Sequence, residues 1–177
     1  METLTNTELW QQLSDFEFDE PEAQQPFSRR LAGGQRWSGA YTDRVIVEYR
    51  RFLYLTQVVP HEVTPSKPID AIWHLHLTYT ESYWNGICAL LESPLHHRPT
   101  MGGQAEKRRH HAQYRSTLDS YERVFGAPAP TDIWPLSDAR PGLLDRLVRR
   151  ALAHAPESRF DAFYDKSFGR VGGGCGG

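Results

Sequence analysis

Ser66-Lys67-Pro68-Ile69-Asp70-Ala71-Ile72-Trp73-His74-Leu75-His76-Leu77-Thr78-Tyr79-Thr80-Glu81-Ser82-Tyr83-Trp84 carries a helix start, a helical repeat and a candidate bend in one run. Ser66 can cap a helix, and Pro68 suits a first turn, where its missing N–H is not needed. Ile69, Ile72, Trp73 and His76 then recur at the spacing of one helical face, with Asp70, His74, Leu77 and Glu81 on the opposite one. The pattern predicts a helix with an aromatic, apolar side and a polar side. A bend is expected near Thr78 to Thr80, because Thr80 can cap a second helix. That helix would carry Tyr83, Ile87, Leu90 and Leu91 and end before Pro94.

This stretch also holds the densest group of titratable side chains. Residues two apart on an ideal helix point about 200° away from each other, so His74 and His76 cannot share one metal unless the helix ends or distorts between them. Asp70 and His74 are four apart and share a face. A carboxylate so placed can accept an imidazole N–H and orient the ring, or serve as a ligand itself. A second cluster, Leu95-His96-His97-Arg98-Pro99, comes one helix-length later. Its adjacent histidines diverge, so one of them can return to the site. The expected metal ligands are therefore His74, His76 and either His96 or His97, with Asp70 as orienter or ligand. Imidazole with carboxylate suits Zn²⁺ or Fe²⁺ better than Mg²⁺. If the site is catalytic, a metal-bound water would react, with Asp70 or Glu81 as base.

Plainer readings stand beside this one. His76 beside Trp73 fits core packing as well as ligation. His61, His110 and His154 fit satisfied core or surface positions, although His111 can point inward. Cys88 fits a small buried hydrophobe. Glu48 interrupts an apolar stripe and reads as an edge residue, with a buried carboxylate facing the site as the alternative. No nucleophilic triad, phosphate loop, dinucleotide fingerprint or Cys-x-x-Cys pattern is present.

Outward from the centre, residues 3–13 predict a short helix. Residues 15–35, acidic and then Gln/Pro-rich, predict a loop or wrapping arm pinned by Phe16, Phe18 and Phe27. Tyr41, Val45, Tyr49, Phe52 and Leu53 mark a helix that Ser38 or Thr42 can cap and Pro60 ends. His111, Tyr114, Leu118, Tyr121 and Phe125 mark a long helix stopped by Gly126. Trp134 anchors a proline-rich segment. A last helix over 141–153 precedes an aromatic stretch with Phe160, Phe163, Tyr164 and Phe168, and a glycine tail expected to be disordered.

The expected architecture is all-α: an irregular bundle of five to six helices. Its parts are an N-terminal helix and arm (1–38), a helical core with the histidine-rich site (39–154), and an aromatic segment with a Gly/Cys tail (155–177). A chain of 177 residues can bury a core without disulfide staples. Its net charge of −2 gives no basic surplus for nucleic acid. Two cysteines, Cys88 and Cys175, do not make a disulfide framework and fit a reducing compartment. The polar N-terminus lacks a signal pattern, and no apolar run approaches the ~20 residues of a membrane span. A cytoplasmic protein is expected, with no membrane partner.

Asp70-Ala71-Ile72-Trp73-His74-Leu75-His76, Tyr83-Trp84, Cys88, Leu95-His96-His97-Arg98-Pro99 and Asp132-Ile133-Trp134-Pro135 resemble the glycine-rich domain-containing protein-like family. The resemblance covers roughly residues 45–136, and the Gly-Cys-Gly-Gly tail resembles those of bacterial members. It implies little about activity. Plant members are described as linked to development and stress responses, some with an RNA-binding segment, but this chain has no ribonucleoprotein-type aromatic motif. The competing functional reading is a non-catalytic interaction module, with structural histidines and a protein partner docked by the C-terminal segment. RNA binding ranks last.

Overall fold

A computed structural model describes residues 4–98 and 102–136. Six α-helices and one π-helical segment make up an all-α, irregular bundle, with no strand among the described residues. They are α1 (Thr7–Asp15), α2 (Phe27–Gln35), α3 (Gly39–Val58), α4 (Lys67–Thr78), the π-helix Ser82–Ile87, α5 (Cys88–Leu90) and α6 (Gln104–Phe125). The expected last helix over 141–153, the aromatic stretch and the glycine tail lie outside the described residues.

Helix α3 is the axis, and α1, α2, α4 and α6 all pack on it. Ser38 caps its start, its side chain accepting from the Tyr41 N–H. Val45, Tyr49, Phe52 and Leu53, spaced three and four apart, are fully buried. Glu48 on the same helix is a correction: it is not an edge residue but is 4% exposed. It does not face the histidines either. Its Oε1 accepts from Arg51 (2.8 Å) and Tyr121 Oη (3.1 Å), and its Oε2 from Trp134 Nε1 (2.9 Å). A buried carboxylate is tolerated only when bonded in this way. These bonds fasten α6 and the proline-rich segment to α3. Helix α6 stops where Gly126 takes a left-handed conformation, φ 62°.

Helix α4 begins as its sequence predicts. The Ser66 side chain accepts from the Ile69 N–H, and Pro68 sits in the first turn. Ile69, Ile72, Trp73 and His76 are buried. The bend falls at Tyr79, which ends the helix. Beyond it the expected second helical run starts at Thr80 and carries Tyr83, Ile87 and Leu90, but its middle, Ser82–Ile87, is π-helical rather than α-helical. Such turns carry one extra residue and re-aim the side chains after them. Gly86 lies within this turn against the Phe16 ring, where an added Cβ would come within 2.8 Å of Phe16 Cε2.

The stretch read as a loop over 15–35 contains helix α2. Its start is capped from outside: the Asp19 carboxylate accepts from the backbone N–H (2.7 Å) and hydroxyl (2.6 Å) of Ser28. Phe27 and Leu31, four apart, are buried, and that burial outweighs the low helix propensity of Gly33 and Gly34. The segment before α2 packs through Phe16 and Phe18. Arg50 donates to the Phe16 carbonyl (2.9 Å) and its guanidinium lies over the Phe18 ring (5.2 Å).

Candidate metal centre

Helix α4 presents Asp70 and His74 one turn apart on its open face. The chain returns after α5, and the loop through Leu95 brings His97 against them. His97 Nε2 lies 2.9 Å from Asp70 Oδ1 and 2.9 Å from His74 Nε2. His74 Nε2 lies 3.7 Å from Asp70 Oδ1. One ligating atom from each residue thus falls within 4.8 Å of the others, an arrangement that could hold a metal ion.

The chemistry of His97 gives this convergence its meaning. A ring nitrogen carries one proton or one in-plane lone pair, not both. One Nε2 cannot make two straight hydrogen bonds, yet it sits at bonding distance from a carboxylate and a second imidazole. All three atoms can instead direct lone pairs at one cation. Ligands about 2.0–2.2 Å from such a metal lie about 3 Å apart across an octahedral edge and about 3.4 Å across a tetrahedral one. The observed separations of 2.9, 2.9 and 3.7 Å bracket those values. The side chains of His74, Asp70 and His97 are 58%, 40% and 18% exposed, so one side of the group faces solvent.

Two side chains lie against the segment that carries His97. Trp73 packs edge-on to the His97 ring, centroids 4.6 Å apart. Its indole N–H donates to Tyr83 Oη (2.9 Å), and the Tyr83 hydroxyl donates to the carbonyl of Leu95, two residues before His97. Burial pushes the Tyr83 hydroxyl up to about 12.

The chain is similar to the glycine-rich domain-containing proteins. Over 108 residues it is 23% identical to glycine-rich domain-containing protein 2 of Arabidopsis thaliana, a match covering 58% of this chain and 14% of that protein. Glycine-rich domain-containing protein 1 of the same plant matches at 23% identity over 108 residues, 58% of this chain and 13% of the relative. The chain therefore spans about a seventh of the length of these curated relatives. No protein-family model matches it. No solved structure matches it either. The similarity agrees with the resemblance that the Trp-His-x-His and His-His-x-Pro motifs imply.

Of the four candidate histidines, His74, His76, His96 and His97, the structure brings His74 and His97 together with Asp70. His76 lies on the other face of α4, fully buried. Its Nδ1 is 3.2 Å from Tyr49 Oη and its Nε2 3.2 Å from Ser82 Oγ. The rings of Phe18, Phe27, Tyr49 and Tyr83 surround it with centroids 5.1–5.9 Å away. Burial lowers its pKa to about 4, so it is neutral near pH 7. His96 is exposed and turned towards Trp84, centroids 5.5 Å apart. Glu81 is exposed, and neither it nor His96 joins the three-residue group. His111, read as able to point inward, is exposed. His61 bonds Ser120 Oγ through Nε2 (2.8 Å).

Helical spacing marks Trp73 and Tyr83 as core residues and gives no sign of their contacts with the His97 segment. The one signal was negative: a buried tryptophan and a buried tyrosine each carry a polar hydrogen that needs a partner.

Proposed function

We propose that this chain is a metal-binding protein that holds Zn²⁺ or Fe²⁺ through Asp70, His74 and His97. The observation that carries the reading is the pair of 2.9 Å contacts at His97 Nε2, to a carboxylate and to a second imidazole. Two imidazoles and one carboxylate match the donor set of catalytic zinc sites and of the iron facial triad, both of which keep coordination positions open. The exposed side of the group is where water or a substrate would enter. A metal-dependent enzyme is the finer proposal, with a metal-bound water as the reacting group. Asp70 then serves as ligand, and Glu81 remains the carboxylate free to act as base.

One observation favours the rival reading for a single histidine. His76 has both nitrogens bonded within an aromatic shell, which supports a structural role for it. Among the described residues no helix is long and apolar enough to cross a membrane, and we keep a cytoplasmic protein as the working placement. Docking of a protein partner by residues 155–177 is the corresponding proposal for the C-terminal segment.

Elemental analysis of untagged protein purified without chelators tests the assignment. Near-stoichiometric metal is expected in the wild type, lost in His74→Ala and His97→Ala and retained in His96→Ala. A wild type that is metal-free and takes up neither zinc nor iron on titration would falsify it.

A further inference from the structure

We infer that Tyr83 is a positioning residue of the metal centre, and that its hydroxyl, held by Trp73, sets where His97 meets Asp70 and His74. The inference rests on the metal-binding reading above and adds a residue that does not ligate. Two ligands lie on one helix and come pre-arranged. The third comes from a segment outside any helix, separated from His74 by 23 positions and from Asp70 by 27. Something must fix that segment relative to α4.

The Tyr83 hydroxyl does so with its one proton and one of its lone pairs. It accepts the Trp73 N–H from α4 and donates to the Leu95 carbonyl of the returning segment. The bond from Trp73 is buried, and the Tyr83 ring is fully buried, braced edge-on by His76 at 5.1 Å. Trp73 acts twice, as donor to that hydroxyl and as a wall against the His97 ring. Outer partners of this kind orient ligands, and their loss typically costs about 10–100-fold in metal affinity. Helix α4 ends at Tyr79, and the next helical run opens with the Tyr83 N–H donating to the Tyr79 carbonyl (2.8 Å), which places Tyr83 one turn beyond the bend.

The test compares Tyr83→Phe with Tyr49→Phe. Each removes one buried hydroxyl and orphans a partner, but Tyr49 bonds His76 on the far face of α4. Zinc affinity is measured by competition against a chromophoric chelator, and hydrogen exchange of residues 95–98 is measured on metal-free protein. Expected are zinc binding weaker by about 10–100-fold in Tyr83→Phe, near wild-type affinity in Tyr49→Phe, and faster exchange at 95–98 in Tyr83→Phe alone. Equal losses in both variants, or none in either, would overturn the inference. If the wild type takes up neither zinc nor iron, the metal reading fails and exchange alone judges Tyr83: unchanged exchange at 95–98 sinks its positioning role. Should Tyr83→Phe not fold, Trp73→Phe removes the donor that holds the Tyr83 hydroxyl; weaker zinc binding with faster exchange at 95–98 is again expected, and wild-type values for both would overturn the inference.

Discussion

On one face of α4, His76 has no exposed surface, and both ring nitrogens are bonded inside an aromatic shell. On the other, His74 is 58% exposed and points its Nε2 at a second histidine and a carboxylate. The two residues share a type, a helix and near-adjacent positions, yet their surroundings give them opposite chemistry. On the closed face the ring is held neutral, because charging it would cost solvation that no neighbour replaces. On the open face the imidazole keeps access to water and to any cation in it. Histidine density alone therefore does not define a site. What separates the faces is whether each nitrogen already has a partner of its own.

The closed face depends most on His76. Replacement by alanine should leave a cavity among Phe18, Phe27, Tyr49 and Tyr83 and orphan the Tyr49 hydroxyl, at a cost of about 3–5 kcal/mol in denaturant unfolding. A loss below about 1 kcal/mol would mean that the shell is not a core. Acid comes next. His76 takes up its proton near 6.5 when unfolded but only near 4 when folded. Between those values the unfolded chain binds more protons, so the contribution of His76 to stability falls as pH drops from about 6.5 to about 4 and changes no further below that, by up to about 3 kcal/mol in total. The difference between wild type and His76→Gln isolates this slope, and parallel pH profiles would refute it.

Gly86→Ala sharpens the same contrast from the arm side. Its Cβ would press on the Phe16 ring at 2.8 Å, and displacing that ring should cost about 1–2 kcal/mol while leaving metal content intact. The smallest change in stability belongs to the open face. His74→Ala should alter the metal-free protein by no more than about 0.5 kcal/mol, yet abolish stoichiometric metal. Thermal unfolding with and without chelator, beside metal content, reads both effects, and a large loss in the metal-free state would erase the distinction between the faces.

Much of the fold was legible in the sequence because the helices announce themselves locally. Ser66, Pro68 and the run Ile69, Ile72, Trp73, His76 contain all that α4 needs, and the pairing of Asp70 with His74 comes from helical spacing. Other features depend on distant partners. Glu48 looked misplaced on α3 because two of the groups that donate to it, Tyr121 and Trp134, lie 73 and 86 positions away. Helix α2 was hidden by Gly33-Gly34, and its cap, Asp19, lies nine positions before the residue it caps. Nothing local signals the π-helical turn. The choice between His96 and His97 is a matter of how the loop rotates, which adjacent identical residues cannot encode by themselves.

The ligand geometry has a consequence for the chain as a polymer. A cation shared by His74 and His97 would be a removable cross-link, closing a loop of 23 positions that contains the π-helical turn and α5. On the chain-entropy account, a permanent bond closing such a loop lowers the freedom of the unfolded state by about 3 kcal/mol at 25 °C. Metal would then fasten the molecule where a reducing compartment would not keep a disulfide, and a chelator would do what a reductant does elsewhere.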